Sequence, residues 1–271
     1  MGSGADDNRR QNTRMIARIG ACVFLLAALG ATSAVAGDAA ARRFIGFSPD
    51  GKYFAFEQYT MLYDDEAAFS EYLIIDTEKD RFVPGAPVRI LIRDPNDGLD
   101  ETKARADAER IAKPLLEQYK VTEPGTYIAG QPSMDLDDIG IYHHQTKPMA
   151  RGLDVMLPGG RKARLSVSSH PLGTAMCDGF GGSGRPGRAK VAGFKLTLSL
   201  DGQAPMILQN DKTLPKSRRC AADYGIAEAY LHTAPDGTAT LAALIEYADN
   251  HDFHAGSNRR FLAVTKRLPK P

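Results

Sequence analysis

The sequence predicts a mainly β fold, with antiparallel hairpins in a sandwich-like or irregular meander and one packed helix, and three observations carry it. Short apolar segments recur along the chain, and some alternate strictly with polar residues, the period of a half-buried strand. Pro, Asp and Gly clusters separate these segments as turns. A single stretch carries a helical period. A two-sheet sandwich or a meander is expected over a complete propeller, because strand pairs differ in length and no blade period persists. A partial β-propeller is the alternative.

The first 36 residues stand apart from that domain. Arg9, Arg10, Arg14 and Arg18 form a basic region, Ile19 to Leu29 an apolar run, and Ala34-Val35-Ala36 a small-residue cleavage pattern before Gly37. A membrane span needs roughly 20 apolar residues, so a cleaved secretory signal over 1–36 is expected. Residues 37–271 then form a single mainly β domain, periplasmic or secreted, without a transmembrane anchor in the mature chain. Arg9-Arg10 lacks the hydrophobic pair of a twin-arginine signal. Cys22 lies inside the apolar run, the wrong place for a lipid-anchored terminus.

The mature chain opens with a hairpin. Arg43 to Phe47 and Lys52 to Glu57 flank Ser48-Pro49-Asp50-Gly51, where Pro presets φ and Gly accepts positive φ. Tyr72 to Asp76 is a third strand, and Arg81 to Val83 and Val88 to Ile92 continue the pattern around Pro84-Gly85. Asp97 or Asp100 then caps a helix from about Leu99 to Lys113. Ala104, Ala108, Ile111 and Leu115 form its apolar stripe, and Pro114 is expected to kink or restart it. Leu153 to Leu157 and Ala163 to Ser168 make a second hairpin around Pro158-Gly159-Gly160. Phe194 to Leu200 alternates strictly and turns at Asp201-Gly202 toward Met206 to Leu208. Glu228 to His232, the turn Ala234 to Gly237, Leu241 to Ile245 and Arg260 to Thr265 complete the series. This last unit echoes the first, with a Pro-Asp-Gly turn in each.

The mature chain holds 30 basic and 31 acidic residues, a balance that argues against a nucleic-acid partner. The balance hides an asymmetry, net −7 from Arg43 to Glu101 and net +8 from Arg151 to Ala222. Such a split could face an anionic envelope surface or pair two copies head to tail, and internal salt bridges are the bland explanation. Two cysteines remain after signal removal, Cys177 and Cys220. An even count in an oxidising compartment favours a disulfide between them, with buried thiols or a metal pair as alternatives.

Phe47-Ser48-Pro49-Asp50-Gly51-Lys52-Tyr53-Phe54-Ala55-Phe56 resembles the blade motif of TolB-type WD40-like propellers. It does not recur at the period of about 40–45 residues that a propeller requires. A broader resemblance rests on FIGFSPDGKYFAFEQY, YLIID, FVPGAPVRI and NRRFLAVTKRLP. These are similar to a family of predicted secreted bacterial proteins of unknown function. It implies secretion, and it transfers no catalytic residue.

Chemistry-bearing residues are few. His251 and His254 share a metal-like spacing, but zinc needs three or four ligands and only Asp249 or Asp252 are obvious local additions. His143 and His144 are adjacent, so on a strand they face opposite sides. Asp94 to Glu101 gathers oxygen ligands, yet the glycine and glutamate of a calcium loop are out of register. Asp135, Asp137 and Asp138 form another acidic loop. Gly179 to Arg188 is glycine-rich, and its amides with Arg185, Arg188 and Lys190 suit an anion. It has neither a nucleotide-loop ending nor a nucleophile elbow around Ser183. No catalytic residue, metal or cofactor is assigned. The leading function is a non-enzymatic envelope binding or interaction module with an anionic envelope component as partner. The alternative is a hydrolase acting on an envelope substrate, and a structural protein comes third. A pocket joining His170, His232 or His254 to carboxylates would favour the enzyme; a flat basic face would favour binding.

Overall fold

Alternate residues of the strand Ala239–Asp249 face two different sheets, and that alternation organises the molecule. Ala239, Leu241, Ala243, Ile245 and Tyr247 belong to one apolar core, whereas Ala242 and Leu244 belong to another. A strand apolar on both faces must lie in an inner layer. The computed structural model describes residues 39–62, 66–93, 100–130, 149–172, 191–200, 203–214, 218, 220–249 and 258–268.

Three antiparallel sheets stack around that strand. The first has the order β1 (Ala41–Phe47), β2 (Tyr53–Leu62), β3 (Ala67–Asp76), β4 (Arg81–Phe82), with β5 (Val88–Ile92) also paired to β3. Helix α1 (Glu101–Gln118) and β6 (Thr126–Gly130) follow in the chain. The third sheet is a meander of β7 (Gly152–Leu157), β8 (Arg161–Pro171), β9 (Ala192–Leu200) and β10 (Met206–Asn210). The middle sheet pairs β6 with β11 (Ala221–Thr233), then β12 (Ala239–Asp249) and β13 (Asn258–Leu268).

The middle sheet packs on the third through Leu165, Phe194, Leu196, Leu198, Tyr224 and Leu241. Its other face meets Phe54, Phe56, Leu73 and Ile75 of the first sheet. Burying each such side chain contributes roughly 1.5–3 kcal/mol relative to exposure. The mainly β, antiparallel architecture with one packed helix agrees with the sequence expectation. Among the described residues the strands form three stacked sheets, one more than a simple two-sheet sandwich, because β11–β13 are apolar on both faces.

Helix α1 covers the outer face of the first sheet. Ala104, Ala108 and Ala112 are fully buried, and such small side chains permit close approach to Tyr72 and Val88. Asp100 caps it, accepting from Lys103 N at 2.8 Å; Asp97 lies outside the described residues. The helix passes through Pro114 and ends at Gln118, beyond the expected Lys113. The bond that Pro114 forfeits would have gone to the carbonyl of Arg110, on the exposed side, where water can replace it. Ile111, expected in the apolar stripe, is 43% exposed, and Ala112 takes the position against the sheet. Strand β6 was not foreseen: TYIAG is short and mostly open, and it is extended because it pairs with β11.

The two Pro-Asp-Gly turns lie together in space. Gly51 and Gly237 have φ of 67° and 83°, which a side chain would strain. Thr240 Oγ1, two residues into β12, donates to Gly51 O at 3.1 Å. His232 Nε2–H donates to Pro49 O at 3.0 Å, and its ring stacks on Phe47. The sequence echo thus corresponds to hairpins in adjacent layers that turn at one end.

Much of the acidic excess is consumed internally. Glu57 pairs with Arg43 and Arg105, Glu71 with Arg89, Asp76 with Lys79, and Glu78 with Arg267. Burial also raises two tyrosines. Tyr72, beside the charge of Glu57 and opposed by Arg43, is pushed up to about 12, and buried Tyr224 likewise to about 12. Both are protonated in the folded and unfolded chain below the ordinary value of 10. Above it the unfolded chain ionises first, so stability is expected to fall as pH rises from 10 toward 12. Thermal unfolding across that range, with ultraviolet titration of tyrosinate, checks it. Ionisation of all tyrosines near pH 10 with the fold intact would count against it.

Candidate anion-binding cleft

The outer ends of β8, β9 and β10 form a shallow cleft of about 390 Å³ lined by Ser168, His170, Leu172, Lys195, Asn210, Asp211 and Lys212. Pairing of the strands makes it. Ser168 lies opposite Lys195, and Lys195 opposite Asn210, so three polar residues form a row with the interstrand spacing of about 4.8 Å. Strict alternation in β9 sends Phe194, Leu196 and Leu198 into the core and leaves Lys195 on the outer side.

Asp211 holds the cleft in shape. Its carboxylate, 2% exposed, accepts from Arg218, from Phe194 N at 3.1 Å and from Gln209 Nε2 at 2.6 Å. The Arg218 guanidinium lies 4.8 Å from the centre of the Phe194 ring. Asp211 can approach because residue 193 is glycine: a Cβ there would stand 2.5 Å from Leu172 Cδ1 and 2.8 Å from Asp211 Cβ. The Asp211 carbonyl accepts from His170 Nε2–H at 2.9 Å, which leaves His170 Nδ1 as the second ring nitrogen.

The electrostatics follow from these bonds. The carboxylate in the cleft is already neutralised by Arg218, whereas Lys195 and Lys212 take part in no ion pair among the described residues. Two other cations of the basic segment are matched: Arg151 with Asp223 at 2.5 Å and Arg164 with Asp154 at 2.6 Å. Partial burial would raise Asp223, but hydrogen bonds from Arg151, Ser169 and Tyr224 N outweigh it and hold its carboxyl below the usual range. The cleft therefore presents two ammonium groups, a serine hydroxyl and a carboxamide, a set suited to phosphate or carboxylate oxygens.

The residues singled out in the sequence are placed unevenly. Arg185, Arg188, Lys190 and Cys177 fall within 173–190, outside the described residues, as do His143, His144, His251, His254, Asp94, Asp135, Asp137 and Asp138. The chain leaves for 173–190 at Leu172 and returns at Val191, which are joined by Leu172 N to Val191 O at 2.9 Å. Cys220 is buried against Val191 and Leu214. His232 sits at the Pro49 turn, away from His170. Neither histidine is hydrogen-bonded to a carboxylate among the described residues, and no group of three metal-ligating side chains occurs among them. Lys195 was legible as a polar position in an alternating strand. Asp211 and Arg218 were not, because an acid after a strand reads as a turn residue.

No helix among the described residues is long and apolar enough to cross a membrane. A family model described as Predicted secreted protein (DUF2259) matches residues 55–267. No curated protein and no solved structure matches the chain.

Proposed function

The chain belongs to this family of predicted secreted proteins, and on that premise we propose that it is a non-enzymatic module that binds an anionic component of the cell envelope. The observation that supports this reading is the pair Lys195 and Lys212, set beside hydrogen-bond donors with no carboxylate among the described residues left to neutralise them. A Ser-His-Asp hydrolase would need a histidine base oriented by a carboxylate. Asp211 instead spends its oxygens on Arg218, Gln209 and a backbone amide. The basic residues Arg185, Arg188 and Lys190 extend the proposed anion contact.

Two further features belong to this proposal. Cleavage after Ala36 makes Gly37 the first residue in N-terminal sequencing of exported protein, and a Cys177–Cys220 disulfide anchors the segment that carries those arginines. The binding test is co-sedimentation with isolated peptidoglycan sacculi and with anionic lipid vesicles. Each lysine near an anionic surface contributes about 1 kcal/mol, so a Lys195→Ala/Lys212→Ala variant is expected to bind about 30-fold more weakly. Added salt should weaken the wild type once the Debye length falls below about 10 Å. Binding to neither material, or equal binding by both proteins at every salt concentration, would refute the reading.

A further inference from the structure

The outer face of the third sheet carries more than the cleft at its end. Residues that alternate with the core positions of β7–β10 point away from the middle sheet. Among them are Lys162 and Lys195, both without an ion pair among the described residues, and Arg164, matched by the exposed Asp154. The same face bears Met156, opposite Lys162, and Ile207, opposite Thr197. These two are the most exposed large apolar side chains among the described residues, at 49% and 53%. They sit on the two edge strands, three interstrand spacings (about 14 Å) apart across the sheet and four residues apart along it.

We propose that this face docks flat on an anionic phospholipid surface, its lysines among the phosphates and Met156 and Ile207 dipping into the acyl boundary. The proposal deepens the anion-binding reading and rests on it. Charge complementarity selects an anionic partner, and the two apolar side chains distinguish a lipid surface from a dissolved anion, which has nothing to bury them in. Among the described residues this face offers no phenylalanine, tyrosine or tryptophan ring, the usual platform for stacking a sugar.

The test uses the mature chain with vesicles of phosphatidylcholine, alone or mixed with phosphatidylglycerol, and with peptidoglycan sacculi. The variant Met156→Ser/Lys162→Gln/Ile207→Ser changes exposed positions outside the cleft, and circular dichroism checks that it folds. Wild type is expected to sediment with the mixed vesicles far more than with phosphatidylcholine. The variant is expected to lose about tenfold or more of that binding while retaining whatever binding the wild type shows to sacculi. A Met156→Ser/Ile207→Ser variant that binds the mixed vesicles as well as wild type would overturn the proposal, since charge alone would then account for attachment. Binding to sacculi but not to vesicles would overturn the lipid assignment and leave the anion-binding reading standing. Binding to neither would overturn both.

Discussion

Glu57→Gln is expected to lower the stability of the fold by about 3 kcal/mol, the scale for breaking a buried ion pair. The Glu57 side chain is fully buried between the first sheet and α1. Arg43 Nε donates to Oε2 at 2.7 Å, while Arg105 Nε and Ser70 Oγ donate to Oε1, each at 3.1 Å. Arg105 also lies over the Tyr59 ring, 3.7 Å from its centre. Glutamine keeps the shape but removes the charge that both guanidiniums face, and it brings an NH2 group toward donors. Arg43 and Arg105 are 42% and 31% exposed, so water recovers part of their hydration and the loss stays at the low end of the buried-pair range. Urea unfolding measures the total. Amide exchange locates it, with α1 expected to open more than β12. A loss under about 1 kcal/mol would show that the arginines find water as readily as the carboxylate.

Reduction of the proposed Cys177–Cys220 bridge is expected to cost roughly 4 kcal/mol, the chain-entropy value for a loop of this size. The native setting adds to the argument. Cys220 is packed against Val191 where β9 begins, immediately before β11. A bridge from there into the connection between β8 and β9 would tie the third sheet to the middle one. Non-reducing peptide mapping is expected to yield one linked pair, and Cys177→Ser/Cys220→Ser should unfold at a markedly lower temperature than the oxidised wild type. Complete alkylation of both residues in native exported material would reject the bridge.

Local physics made most elements legible. The hairpin around Ser48-Pro49-Asp50-Gly51 is encoded within a dozen residues, and Ser48 and Asp50 close it through a 2.7 Å hydrogen bond. The start of α1 was legible as a cap at Asp97 or Asp100, of which the structure uses Asp100, but its end did not follow from Pro114, because the cost of proline depends on whether the orphaned carbonyl is wet. The cleft was half visible. Lys195 was legible only as a polar position in an alternating strand, whereas its partners arrive at the ends of β8 and β10 and the cleft's shape depends on Asp211 reaching beneath Gly193.

By itself, then, the sequence determined the secretory signal pattern, the hairpins and the packed helix, with its cap narrowed to Asp97 or Asp100, all of which arise from neighbouring residues and backbone preferences. Tertiary structure decided what covers each face. Period-two alternation tells which side chains share a side, but it is silent on whether water or another sheet lies against that side. Only stacking shows that β12 is covered twice and that no other sheet among the described residues lies on the outer face of the third. The charge pattern was resolved in the same way. Arg42 and Glu228 lie 186 positions apart yet pair at 2.8 Å, and Arg105 reaches Glu57 across 48 positions. Segment totals of −7 and +8 could not show which charges cancel inside the fold. Coulomb pairing depends on distance in space, and the packing of the sheets sets that distance.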